Sequence, residues 1–298
     1  MRLHYKFSIL VLFAFILSCK ETTKPAQKAL VNEVVETISI PPSWVAGRVN
    51  RAKEKLGVSE AGIVVWNAME AHGGLAQWYA NGPISFRFNY QPLDGKTARD
   101  SYQTVDTWSN RVVHKSVTDS TAQFGWTGEQ AWVKAKDSTA FEYDTKFWAL
   151  TPLYFLGQPF VLNGEGVNLE LLPEMTYKEQ EHDVVKVTFD AGTGDAPDDY
   201  YILYFGKESH KLAAIRYIVS YPEYFKDGGH APEKFMEVVG ENMVDGILFP
   251  TSYKTHWLTK DEKPGEYITQ IDVSNVSFEN DLPKDFFDVP KDAKILIE

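Results

Sequence analysis

The sequence predicts an α+β fold: an antiparallel sheet preceded by helices and interrupted by one helical insertion. Three observations carry this. Helical periodicity fills residues 43–74, after which the apolar period switches to two and dominates most of the remaining chain. Short polar turns such as Asp94-Gly95, Ser109-Asn110, Gly128-Glu129 and Asp245-Gly246 join the strand candidates, and tightly joined strands must run antiparallel. No strand–helix–strand alternation appears, which argues against a Rossmann or barrel-type α/β fold.

The first helix is SWVAGRVNRAKEKLG, with Trp44, Val45, Val49, Ala52 and Leu56 on one stripe and Gly57 ending it. A second follows in SEAGIVVWNAMEAHGG, where Ser59 is the N-cap, Ile63, Trp66, Ala68 and Ala71 are the apolar positions, and Gly73 lies past the C-terminus. LAQWYA adds a further turn. The segment Ile84 to Tyr90 then alternates as a half-buried strand does. Further strands are predicted over 99–108, 111–118, 121–127, 130–136, 167–172, 182–190, 199–206, 211–221, 234–242, 246–258 and 265–278. The insertion, FEYDTKFWALTPLYFLGQPFVL (141–162), is too apolar for a solvated loop and is broken by Pro152 and Pro159. It reads first as a plug packed on the sheet, with a lid over an apolar cavity as the functional alternative. Ile271 and Val273 share one strand phase and Val276 and Phe278 the other, so a one-residue bulge is expected between them. In the tail, Phe286, Phe287 and Val289 are expected to dock on the edge of the sheet, with Pro283 and Pro290 ending strand pairing.

A chain of 298 residues can bury a large core without covalent staples, and 14% aromatic content suits pleated surfaces and apolar interiors. A formal charge of −11, dispersed along the chain, argues against nucleic acid as a partner and reads as a solvated surface. One cysteine, Cys19, excludes an intramolecular disulfide framework and a cysteine-cluster zinc site.

The N-terminus explains that cysteine. Arg2 and Lys6 precede the apolar run FSILVLFAFIL, which is too short to span a bilayer comfortably, and the small residue Ser18 comes before Cys19. ILSC resembles the bacterial lipobox, although Leu17 is bulkier than usual at its position. The resemblance implies that Cys19 is acylated and becomes the mature N-terminus. A plain secretory signal or an uncleaved anchor is the alternative. Cleavage there would remove two cations and no acid, taking the charge from −11 to −13. Several acyl chains would hold a membrane stably where one would not. Residues 1–18 are thus read as a lipoprotein signal peptide, 19–42 as a polar, proline-punctuated tether, and 43–298 as one domain.

Catalytic signatures are missing. The chain has no GxSxG elbow, HExxH helix, phosphate-binding glycine loop or GxGxxG after a strand, and it implies no cofactor or metal. Of seven histidines, His72 draws attention because EAHGG places it in the last turn of a helix, where an imidazolium would complement the dipole. An envelope hydrolase or metalloenzyme using His72 with nearby acids is the enzymatic alternative. The acids of GTGDAPDDYY, Asp195, Asp198 and Asp199, read as a solvated turn rather than a calcium loop.

The lipobox, N-terminal helices, antiparallel strands and apolar insertion together resemble the LolA/LolB-like lipoprotein-carrier superfamily. More narrowly, they resemble Bacteroidetes outer-membrane lipoproteins with a helix ending AHGG (Ala71 to Gly74) and a tryptophan, Trp78, soon after. DGILFPTSY (245–253) and LPKDFFDVPKDAKI (282–295) look like features of the same family. The resemblance implies an open, unclosed β-barrel whose helix-capped concave face holds a lipid, a lipoprotein acyl chain or another apolar ligand without catalysis. It also implies a place in the cell envelope, on the outer membrane, facing either the periplasm or the surface. On that reading the lining comes from Phe86, Phe88, Trp148, Leu153, Tyr154 and Phe155. A scaffold using the barrel exterior for protein contacts is the remaining alternative.

Overall fold

The computed structural model describes residues 36–137 and 139–296. Cys19, the signal segment and most of the tether lie outside the described residues. Three N-terminal helices come first: α1 (Pro42–Leu56), α2 (Glu60–Ala71) and α3 (Leu75–Ala80). Pro42 opens α1 at the one helical position where its missing N–H costs nothing. Ser59 caps α2, its hydroxyl accepting the Gly62 amide.

Among the described residues fifteen strands follow. β1 (Ile84–Pro92), β2 (Arg99–Val105), β3 (Val112–Ser116), β4 (Gln123–Trp126) and β5 (Ala131–Lys134) form a meander. The insertion is three short pieces rather than one helix: α4 (Thr145–Trp148), α5 (Thr151–Leu156) and a 3-10 turn at Phe160–Asn163. Pro152 stands in the first turn of α5, where proline is tolerated, while Gly157 and Pro159 end the helix. A second run comprises β6 (Val167–Tyr177), β7 (Gln180–Phe189), β8 (Tyr201–Gly206), β9 (Leu212–Tyr217) and β10 (Lys234–Val239). β11 (Asn242–Val244) and β12 (Ile247–Phe249) make a separate small hairpin, followed by β13 (Ser252–Leu258), β14 (Pro264–Phe278) and β15 (Lys294–Leu296). β14 bridges the two runs, giving one antiparallel sheet in the order β15-β5-β4-β3-β2-β1-β14-β13-β10-β9-β8-β7-β6. Its end strands, β15 and β6, do not pair with each other, so the barrel is open.

The expected bulge is present. Between Ser85↔Ser277 and Arg87↔Ser274, β14 advances one residue more than β1. Strand ends differ by a few residues from the sequence reading. β6 runs beyond 172 through a second irregularity between Leu172 and Met175, and the 246–258 stretch is split by Pro250 into β12 and β13.

One continuous core fills the concave side. It joins α1–α3 and the insertion to the inward residues Phe86, Phe88, Val105, Leu203, Ile215, Met236 and Ile271. The convex side carries two smaller clusters. The end of the β6–β7 hairpin brings Tyr177 onto Tyr204 and Phe235, where the Tyr177 hydroxyl donates to Glu237. The C-terminal tail lays Phe287, fully buried, against Val113 and Trp132. Val289, expected to dock with it, is 37% exposed. Glu36 to Ile38 is tied to that tail by the amides of Ile38 and Lys284.

The AHGG and DGILF motifs meet. Gly73 has φ +113°, and a Cβ there would lie 2.0 Å from the carbonyl oxygen of Gly246. Only glycine permits this approach. The Leu248 amide donates to the His72 carbonyl, and the Asn81 amide donates to that of Asp245, so the small hairpin is clasped to the helix ends. Trp78 stacks on Phe160 at 4.8 Å beneath it, tying the N-terminal helices to the insertion.

Candidate functional site

The apolar insertion does two things at once. Trp148, Leu153, Leu156 and Phe160 are buried in the concave core, as a plug requires. The same segment also roofs a cavity of about 420 Å3, within the range of small-molecule sites. Its walls are mostly apolar and aromatic: Phe147, Trp148, Leu150, Leu153, Tyr154 and Phe155 from the insertion face Tyr90, Phe189, Tyr201, Tyr217 and Val219 from the sheet and its connections.

Of the residues assigned to the lining from sequence, Trp148, Leu153, Tyr154 and Phe155 border this space. Phe86 and Phe88 do not. They share the inward phase of β1 but fill its middle, completely buried, with Phe88 6.2 Å edge-on to Trp148. The cavity lies at the Tyr90 end of that strand. The insertion is fixed there by a buried histidine that sequence reading passed over. His114 on β3 bonds the Ser101 hydroxyl through Nδ1 (3.0 Å) and the Ala149 carbonyl through Nε2 (2.8 Å), and stacks on Phe124. Burial pulls its pKa down to about 3, so the ring is neutral.

The end of the sheet nearest the cavity carries charge. Arg99, first residue of β2, lies over the rings of Trp148 (4.7 Å) and Tyr90 (5.1 Å). Lys234, first residue of β10, lies over Tyr217 (5.4 Å) and Trp257 (5.7 Å). Both border the cavity. Burial, reinforced by the positive charge of Arg99, lowers the Lys234 ammonium to about 8. Asp199 is buried rather than solvated, and its Oδ1 accepts from the Ser220 amide (2.6 Å) and hydroxyl (2.7 Å). Burial raises its pKa against those two bonds. A signal for the cations existed: Arg99 is in phase with buried Ser101, Gln103 and Val105, and Lys234 with buried Met236.

A second cavity, about 330 Å3, adjoins Phe155 from the other side and is lined by His72, Gln158, His182, Lys211, Glu241 and Tyr253 among others. His72 is 6% exposed, its Nδ1 bonded to the Ala68 carbonyl, and burial lowers its pKa. It is therefore not the charged helix cap that its position suggested. Among the described residues no carboxylate or second histidine bonds its ring, and no group of three or more His, Cys, Asp or Glu side chains could hold a metal.

Fold and site together define a class: an open antiparallel half-barrel whose helical insertion covers an apolar cavity on the concave side. The chain is similar to several solved structures. A LolA superfamily protein from Nitrosomonas europaea is 12% identical, with a TM-score of 0.49 over 77% of this chain and 98% of that one. A domain described as an outer-membrane lipoprotein-sorting protein, from Vibrio parahaemolyticus, is 9% identical, with a TM-score of 0.48 over 80% and 97%. A DUF1329 family protein from Desulfovibrio piger is 11% identical, with a TM-score of 0.47 over 82% and 97%. No family model matches the chain, and no curated protein matches its sequence.

Proposed function

We propose that this protein is a non-catalytic envelope lipoprotein that holds an acyl chain or similar apolar ligand beneath its helical insertion. The observation that carries the reading is the cavity of about 420 Å3 on the concave side, walled mostly by aromatic and aliphatic side chains. An apolar ligand laid against these walls removes its own and their apolar surface from water, which is favourable roughly in proportion to the area buried. The lipobox at Cys19 supports a membrane tether through N-terminal acyl chains, and among the described residues no helix is long and apolar enough to cross a membrane. The anchor belongs to the same reading, with the outer membrane as its site.

Native mass spectrometry of the full chain carrying Cys19→Ser, which removes the acylation site, tests the ligand directly. Bound lipid is expected to leave with the protein, and Leu153→Trp, which fills the cavity, is expected to abolish it. Recovery of no lipid, together with no binding of a fluorescent fatty acid, would overturn the proposal.

A further inference from the structure

We infer that the ligand is an amphiphile with an oxyanion head, a carboxylate or phosphate, held between Arg99 and Lys234 at one end of the apolar cavity. This rests on the reading of the cavity as a ligand site and specifies which end of the ligand is recognised.

Tyr90↔Arg99 and Tyr201↔Tyr217↔Lys234↔Trp257 are register partners, so both cations stand in rows at one end of the strands. Each is half-buried on the inward phase. Each rests on aromatic rings that also wall the cavity, Trp148 and Tyr90 under Arg99 and Tyr217 under Lys234. Among the described residues neither side chain donates a hydrogen bond or joins an ion pair. Two partly desolvated cations without an acceptor are unusual, because buried charge is ordinarily paired. Ring faces attract cations but neutralise nothing.

The repulsion between the pair contributes to the lowered proton affinity of Lys234. The carboxylate acting on Lys234 is Asp199, which already serves the amide and hydroxyl of Ser220. The other acids on the lining, Glu165 and Asp195, belong to the connections flanking β6 and β7. An oxyanion supplies the missing acceptors and leaves its chain among the aromatic walls.

Calorimetric titration of the full chain with Cys19→Ser, below the micelle concentration of each probe, tests this with dodecanoate, dodecyl phosphate and dodecanol. Both anions are expected to bind at least about tenfold more tightly than the alcohol, a difference of about 1.4 kcal/mol. Their order separates a fatty-acid head from a phosphate head, and a clear preference for either anion over the alcohol supports the inference. Combining Arg99→Gln with Lys234→Met should remove that preference, bringing anion affinity down to that of the alcohol. Equal affinity for alcohol and anions, or undiminished anion binding by the double variant, overturns the head-group inference while leaving the cavity reading intact. Failure of all three probes overturns both. If the double variant does not fold, raising NaCl from about 0.05 to 0.5 M on the unsubstituted pair decides instead: anion affinity should fall and alcohol affinity should not. Salt-insensitive anion binding overturns the inference.

Discussion

Replacing Lys234 by methionine should make the protein more stable at neutral pH, and the size of the gain should depend on pH. Lys234 is held among Tyr217, Trp257 and Arg99, and its ammonium is lowered to about 8, against roughly 10.4 in an unfolded chain. A difference near 2.4 units corresponds to about 3 kcal/mol by which the folded state disfavours the charged form. The sign follows from proton binding: between pH 8 and 10.4 the unfolded chain holds more protons, so this residue's cost shrinks as pH rises. At pH 7 the cost is nearly complete, and at pH 10 about 0.7 kcal/mol remains. Methionine keeps the apolar stem and removes the charge. Urea unfolding of both chains should therefore show Lys234→Met more stable by about 2–3 kcal/mol at pH 7, with the advantage reduced by about 2 kcal/mol at pH 10. A variant that is destabilised at pH 7, or whose gain is the same at both pH values, would refute the claim that Lys234 is a desolvated cation. Stability forgone at one residue is a common signature of a binding function.

Four further outcomes are expected. His114→Phe should cost about 2–4 kcal/mol in urea unfolding, because Ser101 and the Ala149 carbonyl lose their shared partner. With its folded pKa near 3 and its unfolded value near 6.5, His114 makes the native protein lose stability as pH falls between those values. About 2 kcal/mol should be gone by pH 5, a loss the phenylalanine variant escapes. Gly73→Ala should destabilise by about 2 kcal/mol or more, since φ is +113° and the new methyl meets the Gly246 carbonyl; hydrogen exchange should rise first at Leu248, whose amide bonds His72. Trp78→Ala should cost about 3–5 kcal/mol through its lost stack on Phe160, and a calorimetric scan showing an unchanged melting point would contradict the packing described.

Much of the fold was legible in the residues because it rests on local signals. Ser59 and Gly73 bounded α2, Ile84 to Tyr90 announced β1, and the phase change between Val273 and Val276 located the bulge in β14. The site was legible only in part. The insertion's aromatic density pointed to Trp148, Leu153, Tyr154 and Phe155, yet Phe86 and Phe88 were placed at the cavity because periodicity gives a strand's face and not the height along it. The inward phase of Lys234 could be read from Met236, but its place beside Tyr217 comes from cross-strand register, a long-range property that no local pattern encodes. His72 drew attention for its position, whereas His114, which holds the insertion to the sheet, sits in an ordinary alternating strand.

The irregularity of β6 between Leu172 and Met175 bears on how separate molecules behave toward one another. An edge of eleven residues, Val167 to Tyr177, would offer a neighbouring copy a long row of unpaired amides and carbonyls. The break falls around Pro173, which has no amide hydrogen, and Glu170 and Glu174 set negative charge on either side of it. The turn that lets the end of this hairpin fold over the convex face thus also shortens the straight ladder available to another chain. Straightening it, by Pro173→Val with Glu174→Thr, would convert a guarded border into a template for intermolecular β-pairing.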